Sequence, residues 1–208
     1  MKHLLILVAL VMTGCVPQKN IDWSAYEAAD PQSILVVPVV NNTLNVDAPN
    51  YMLSTLSVPL AERGYYVYPV NTVKVILEQE GFYEAEQIHG ASSASLAEMF
   101  NADAILYVTI QRWDAKYALF STSVTVQFDY LMVNSEGAEI WEAEKKMVYT
   151  PENNDSGDPL VNLLVMAISA AVTRAAPNYM PLARSANQQV MVLGPTALPA
   201  GPYTLDEN

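Results

Sequence analysis

Three runs between Ala104 and Thr150 decide the fold: AILYVTIQRW (104–113), STSVTVQFDYLMV (121–133) and EIWEAEKKMVYT (139–150). The middle run alternates strictly. Val124, Val126, Phe128, Tyr130 and Met132 share one side, and Ser123, Thr125, Gln127 and Asp129 share the other. That period of two belongs to a strand with one buried face. Asn134-Ser135-Glu136-Gly137 reads as a four-residue hairpin turn, and the third run returns with Trp141, Ala143, Met147 and Tyr149 on the core side. The first run is apolar on both faces at its start, which places it centrally. Together they predict an antiparallel sheet that is half exposed or covered by helices on one side only.

Toward the N-terminus, Ser33–Val40 (SILVVPVV) reads as a buried strand, a continuous apolar run in which Pro38 removes one ladder donor and marks an edge or bulge. Helical spacing follows over Asn50–Arg63, with a kink at Pro59 and Gly64 as its cap. Tyr65–Val70 is a short strand. Asn71 is placed to cap a helix over Thr72–Glu80, and Gly81 stops it. Glu84–Ala91 reads as a loop, and Ser92–Asn101 as a helix with Leu96, Met99 and Phe100 inward.

Toward the C-terminus, Glu152–Asp158 is a polar loop, and Asp158 with Pro159 opens a helix to about Ala176. Leu160–Thr173 carries no charge. At about 21 Å it is too short to cross a bilayer, so it is buried either in the core or against another subunit. Residues 177–208, with Pro181, Pro195, Pro199 and Pro202, read as an irregular tail packed on the domain. The expected architecture is α/β: a mixed, largely antiparallel sheet of about five strands with three to four helices over 33–176.

The N-terminus carries a different signal. Met1-Lys2-His3 is a basic start, Leu4–Met12 is uncharged, and Thr13-Gly14-Cys15 closes with small residues, the layout of a secretory leader over 1–14. Met12-Thr13-Gly14-Cys15 resembles the bacterial lipobox, with Met where that pattern prefers Leu. The resemblance implies that Cys15 takes a diacylglycerol on sulfur and an acyl chain on its new amine. Each buried methylene adds about 0.8 kcal/mol of membrane affinity, so two or three chains hold the protein permanently. Val16 stands where Asp would favour inner-membrane retention, so the expected location is the outer membrane of a Gram-negative bacterium, on its periplasmic side. Residues 15–32 read as lipidated cysteine and tether.

The chain is 51% hydrophobic and 15% charged, a composition that buries a core. Its 22 acidic against 10 basic residues give a net charge of −12, which repels nucleic acid and anionic lipid headgroups alike. With one cysteine, no intramolecular disulfide forms, and packing alone holds the fold.

Catalytic patterns are missing. After removal of the leader, His89 is the remaining histidine, and no G-x-S-x-G elbow, H-E-x-x-H, G-x-G-x-x-G or Walker loop occurs. His89 reads as a surface histidine. Glu78, Glu80, Glu84 and Glu86 read as a solvated acidic edge, although clustered carboxylates are also the ligands of hard cations. Asn153, Asn154, Asp155 and Asp158 lack the alternating spacing and bidentate Glu of a calcium loop. The expectation is therefore no metal, no cofactor beyond the lipid on Cys15, and no catalysis. Lys116–Phe120 places Tyr117, Leu119 and Phe120 between two strands, where polar residues are the norm, which makes them candidate partner contacts.

The runs SILVVPVVNNT, VPLAERGYYVYPV (Val58–Val70), ADAILYVTI (Ala102–Ile110), VNSEGAEIW (Val133–Trp141) and LPAGPY (Leu198–Tyr203) resemble, in order, a family of bacterial lipoproteins best known from neisserial surface lipoproteins. ENNDSGD departs from the more glycine-rich run expected there. The family is similar in fold to the periplasmic domains of the curli-secretion pore lipoprotein and of lipoprotein activators of peptidoglycan synthases. The resemblance implies a non-catalytic accessory or structural part of an envelope transport or assembly complex, with other envelope proteins or further copies of itself as partners. An activator docking on a peptidoglycan-synthesising enzyme is its alternative.

Overall fold

A computed structural model describes residues 21–118, 121–149 and 179–204, with backbone alone at 116–118 and 121–122. Cys15, the leader, Leu119, Phe120, the side chain of Tyr117 and the expected helix of 158–176 lie outside the described residues.

The architecture is mixed α/β. Six strands form one open sheet: β1 (Ser33–Val36), β2 (Val40–Asn41), β3 (Tyr66–Val67), β4 (Ala104–Ala118), β5 (Ser121–Asn134) and β6 (Glu139–Tyr149). Their order is β3-β1-β4-β5-β6, with β2 beside β4 in line with β1. The short β1, β2 and β3 pair in parallel, whereas β4, β5 and β6 form long antiparallel ladders that dominate the sheet. Among the described residues seven α-helices accompany it: α1 (Ser24–Ala29), α2 (Ala48–Leu53), α3 (Ser57–Glu62), α4 (Val70–Gln79), α5 (Ala85–His89), α6 (Ser93–Phe100) and α7 (Met180–Gln188), the last continuing as a π-helical turn over Gln189–Leu193.

The apolar run of β1 is explained by two cores. Ile34 and Val36 join the larger cluster on one face, and Leu35 and Val37 join the smaller on the other. All four side chains are fully buried. Pro38 does break the run, because it has no N–H for the ladder. The expected single strand is thus β1 and β2, one reason the sheet has six strands rather than five.

β4 is central, as its two apolar faces require. A bulge between Ile110 and Arg112 shifts its register against β5. One extra residue turns the alternation over, so that Ile110 and Trp113 both reach the larger core. The alternation of β5 holds: Val124, Val126, Phe128, Tyr130 and Met132 are buried. The turn closes through Gly137, whose φ of 87° is the left-handed region glycine enters freely, and through Asn134 Oδ1, which accepts from Glu136 and Ala138 N–H at 3.1 and 2.8 Å.

Several expectations need correction. Ser24–Ala29, assigned to the tether, is helix α1, and its Tyr26 is buried in the core. The helix of Asn50–Arg63 is two, α2 and α3, and Pro59 sits in the first turn of α3, where no intrahelical donor is needed. Asn71 lies inside α4 rather than capping it. Glu84–Ala91 is not a loop but holds α5. Met99 faces outward at 38% exposure, since Leu96 and Ala97 define the buried side of α6. The tail 177–208 is not irregular throughout. Pro181 occupies the helix start, where it is tolerated, and Leu182, Ala183, Ala186, Val190 and Met191 enter the larger core.

Candidate interaction surface

The segment after β2 exposes apolar side chains on a braced frame. Asn41 organises it: its Nδ2 donates to Asn45 O at 2.9 Å, and its Oδ1 accepts from Thr43 N–H and Oγ1–H at 3.1 and 2.7 Å. Thr43 Oγ1 in turn accepts from Asn45 N–H, and Asn45 Oδ1 accepts from Asp47 and Ala48 N–H at 3.0 and 3.1 Å. These side chains satisfy the backbone locally, which is what Asn and Thr do in turns. With the polar groups turned inward, Leu44 is 100% and Val46 84% exposed. Two neighbouring aliphatic side chains thus stand in water on a braced loop. In the sequence they are hidden by the flanking Asn and Thr, which read as an ordinary polar turn.

The expected apolar connection at Lys116–Phe120 is shorter than the sequence implies. Ladder pairs run from Lys116 opposite Ser123 to Ala118 opposite Ser121, so Lys116 and Tyr117 belong to β4.

A groove of about 550 Å³ lies on the other sheet face, with His89, Tyr107, Asp129, Glu139, Glu142 and Glu144 among its lining. His89 is not the surface histidine expected, because it is half-buried. Its Nε2–H donates to the Pro38 carbonyl at 2.9 Å, and its ring stands edge-on to Tyr107 at 5.0 Å. Burial lowers its pKa, against smaller opposing effects of that hydrogen bond and of Glu86. The ring is thus a neutral clip that ties α5 to the Pro38 carbonyl between β1 and β2. Ser93 Oγ is within 3.1 Å of Tyr107 O–H, which donates to it. Asp129 Oδ2 accepts from Gln111 Nε2 at 2.6 Å. The groups therefore make structural bonds, and the carboxylates disfavour an anionic ligand. Among the described residues no group of three or more His, Cys, Asp and Glu could hold a metal. No helix among them is long and apolar enough to cross a membrane.

LPAGPY closes a corner of the fold. Arg63 Nη2 donates to Leu198 O, and Tyr65 O–H donates to Pro199 O at 2.8 Å. Gly201 and Tyr203 N–H donate to Arg63 and Gly64 carbonyls at 2.6 and 2.9 Å. A Cβ on Gly64 would strike Thr204, and Gly64 has φ +87°. Deeper in, Tyr130 O–H donates to Asn187 Oδ1 at 2.8 Å, and Asn187 Nδ2 donates to Thr55 Oγ1 at 2.9 Å.

The chain is similar to proteins of known sequence and structure. Residues 21–203 match the family described as "Putative lipoprotein GNA1162-like". It is 32% identical over 173 residues to the lipoprotein NMB1124/NMB1162 of Neisseria meningitidis serogroup B, covering 81% of this chain and 80% of that one. The crystal structure of lipoprotein GNA1162 from Neisseria meningitidis superposes with a TM-score of 0.58 at 33% identity, over 68% of this chain and 98% of that one. A looser likeness, TM-score 0.49 at 16% identity over 80% and 89% of the two chains, is to PelC of Paraburkholderia phytofirmans. The family match across residues 21–203 and the 32% identity to a neisserial lipoprotein together make this chain a member of the GNA1162-like lipoprotein family.

Proposed function

We propose that this protein is a non-catalytic, lipid-anchored component of an envelope transport or assembly complex, held by Cys15 in the periplasmic leaflet of the outer membrane and working by protein–protein contact. The lipobox-like Met12–Cys15 and the membership of a lipoprotein family support the anchor. The observation that carries the contact role is the braced loop that holds Leu44 and Val46 in solvent. A partner protein that covers them removes apolar surface worth about 25 cal/mol per Å² at a small ordering cost, because the loop backbone is already held.

A photo-crosslinking residue at Leu44, in the lipidated protein in cells, tests this against the same residue at exposed Glu27. The reading expects discrete adducts of defined mass from position 44 and none from 27. No adduct at 44, or the same smear from both, refutes it.

A further inference from the structure

The lipid anchor fixes which end of the domain faces the membrane. We infer that, on that anchor reading, the domain stands with α1 and the β5–β6 turn toward the bilayer, and with the Leu44–Val46 loop and the β4–β5 hairpin held away from it.

The chain enters the domain at one end of the sheet. α1 packs against β6 and, with Asp103, Asn134, Glu136 and Ile140, borders a groove beside the β5–β6 turn. The Asp103 carboxylate then accepts from Gln32 N–H, Ser33 N–H and Ser33 Oγ–H at 3.2, 2.8 and 2.7 Å, which pins the start of β1 to the start of β4. From this base the strands rise about 3.3 Å per residue. Asn41 lies opposite Ile110, six residues above Ala104 and about 20 Å up. Val148 lies opposite Thr125, which faces Asp114, about 30 Å up. Ala118 is about 45 Å up.

The leash is short by comparison. The sequence contains six peptide steps from Cys15 to Ile21, which span at most about 21 Å. An inverted domain would need its base about 45 Å from the membrane, more than twice that reach. A flat domain is within reach, but a chain of net charge −12 laid on anionic lipid works against its own field. The base is also acidic: Asp22, Glu27, Asp30, Asp103, Glu136 and Glu139 lie there, and residues 21–33 include no Lys or Arg. That end is pulled down by the leash and pushed off by charge, so it stands off the headgroups and does not adhere.

The test uses the full lipidated protein in vesicles of phosphatidylethanolamine and phosphatidylglycerol with an acceptor dye on a headgroup lipid. A donor dye is placed on Ala28→Cys, Leu44→Cys or Val148→Cys, all exposed positions. Energy transfer should fall in the order 28, 44, 148, and transfer at 28 should rise as salt goes from 10 to 100 mM, where the screening length drops from about 30 to about 10 Å. Equal transfer at all three positions, or the reverse order, overturns the orientation while leaving the anchor intact. Protein that fails to float with the vesicles overturns the anchor and the orientation together.

Discussion

Asn187 offers the sharpest test of how the C-terminal segment is held. Its side chain is fully buried and bridges Tyr130 on β5 to Thr55 between α2 and α3, and Thr55 Oγ1–H donates on to Met52 O at 2.7 Å. Asn187→Leu keeps the branching of the side chain, with methyl groups where the amide O and N stood, and removes the bonds to Tyr130 and Thr55. Tyr130 O–H then has no acceptor, a cost of about 1–3 kcal/mol, while Thr55 keeps its bond to Met52 and loses less. Burying a leucine in place of an amide returns about 1 kcal/mol, leaving a net loss of about 2 kcal/mol. Tyr130→Phe alone strands Asn187 Oδ1 and costs about 1–2 kcal/mol. With both changes the pair is apolar on both sides, so the double variant should lie closer to wild type than either sum, with a coupling of about 1–3 kcal/mol. Urea unfolding followed by fluorescence of the buried Trp113 and Trp141 measures this. At an m-value of about 2 kcal/mol per M, Asn187→Leu shifts the midpoint down by about 1 M. A midpoint unchanged within about 0.2 M, or strict additivity in the double variant, refutes the claim that this network registers α7 in the core.

Other predictions are simpler. Burial lowers the His89 pKa below its unfolded value of about 6.5, so the unfolded chain binds the proton first. Stability is then full above pH 6.5 and falls by up to about 1.4 kcal/mol per unit as pH drops toward the folded pKa. Urea midpoints between pH 8 and 5 should show that step in wild type and lack it in His89→Gln; identical profiles would remove the clip. Gly64→Ala meets both a positive φ and Thr204, whereas Gly81→Ala, φ +90°, meets open space. We expect about 1 kcal/mol lost at 81 and a further 1–2 kcal/mol at 64, read from thermal or urea unfolding. Equal losses would mean the LPAGPY corner yields freely. Leu44→Ser with Val46→Ser should leave stability within about 0.5 kcal/mol of wild type and abolish crosslinking from a probe at neighbouring Asn42. Retained adducts would move the contact elsewhere.

Wherever a pattern needs only near neighbours, the amino-acid order by itself determined the outcome. The strict alternation of β5, the NSEG turn and the two-faced apolar run of β1 follow from periods of the backbone itself, so each could be read directly. So could the central place of β4. What tertiary structure alone decided depends on partners distant in the chain. Proline content spoke for an irregular tail after 177, yet Pro181 starts a helix because Tyr130 and Thr55, more than 50 residues away, supply the bonds that seat Asn187. Polar content hid α5, whose His89 is held by a carbonyl 51 residues away, that of Pro38. The bulge beside Gln111 keeps Trp113 inside, and no local period announces it. Leu44 and Val46 look like chance apolar residues in a turn until the Asn41, Thr43 and Asn45 bonds close inward and leave them in water. Exposure is a property of everything that fails to cover a residue, and only the folded chain contains that information.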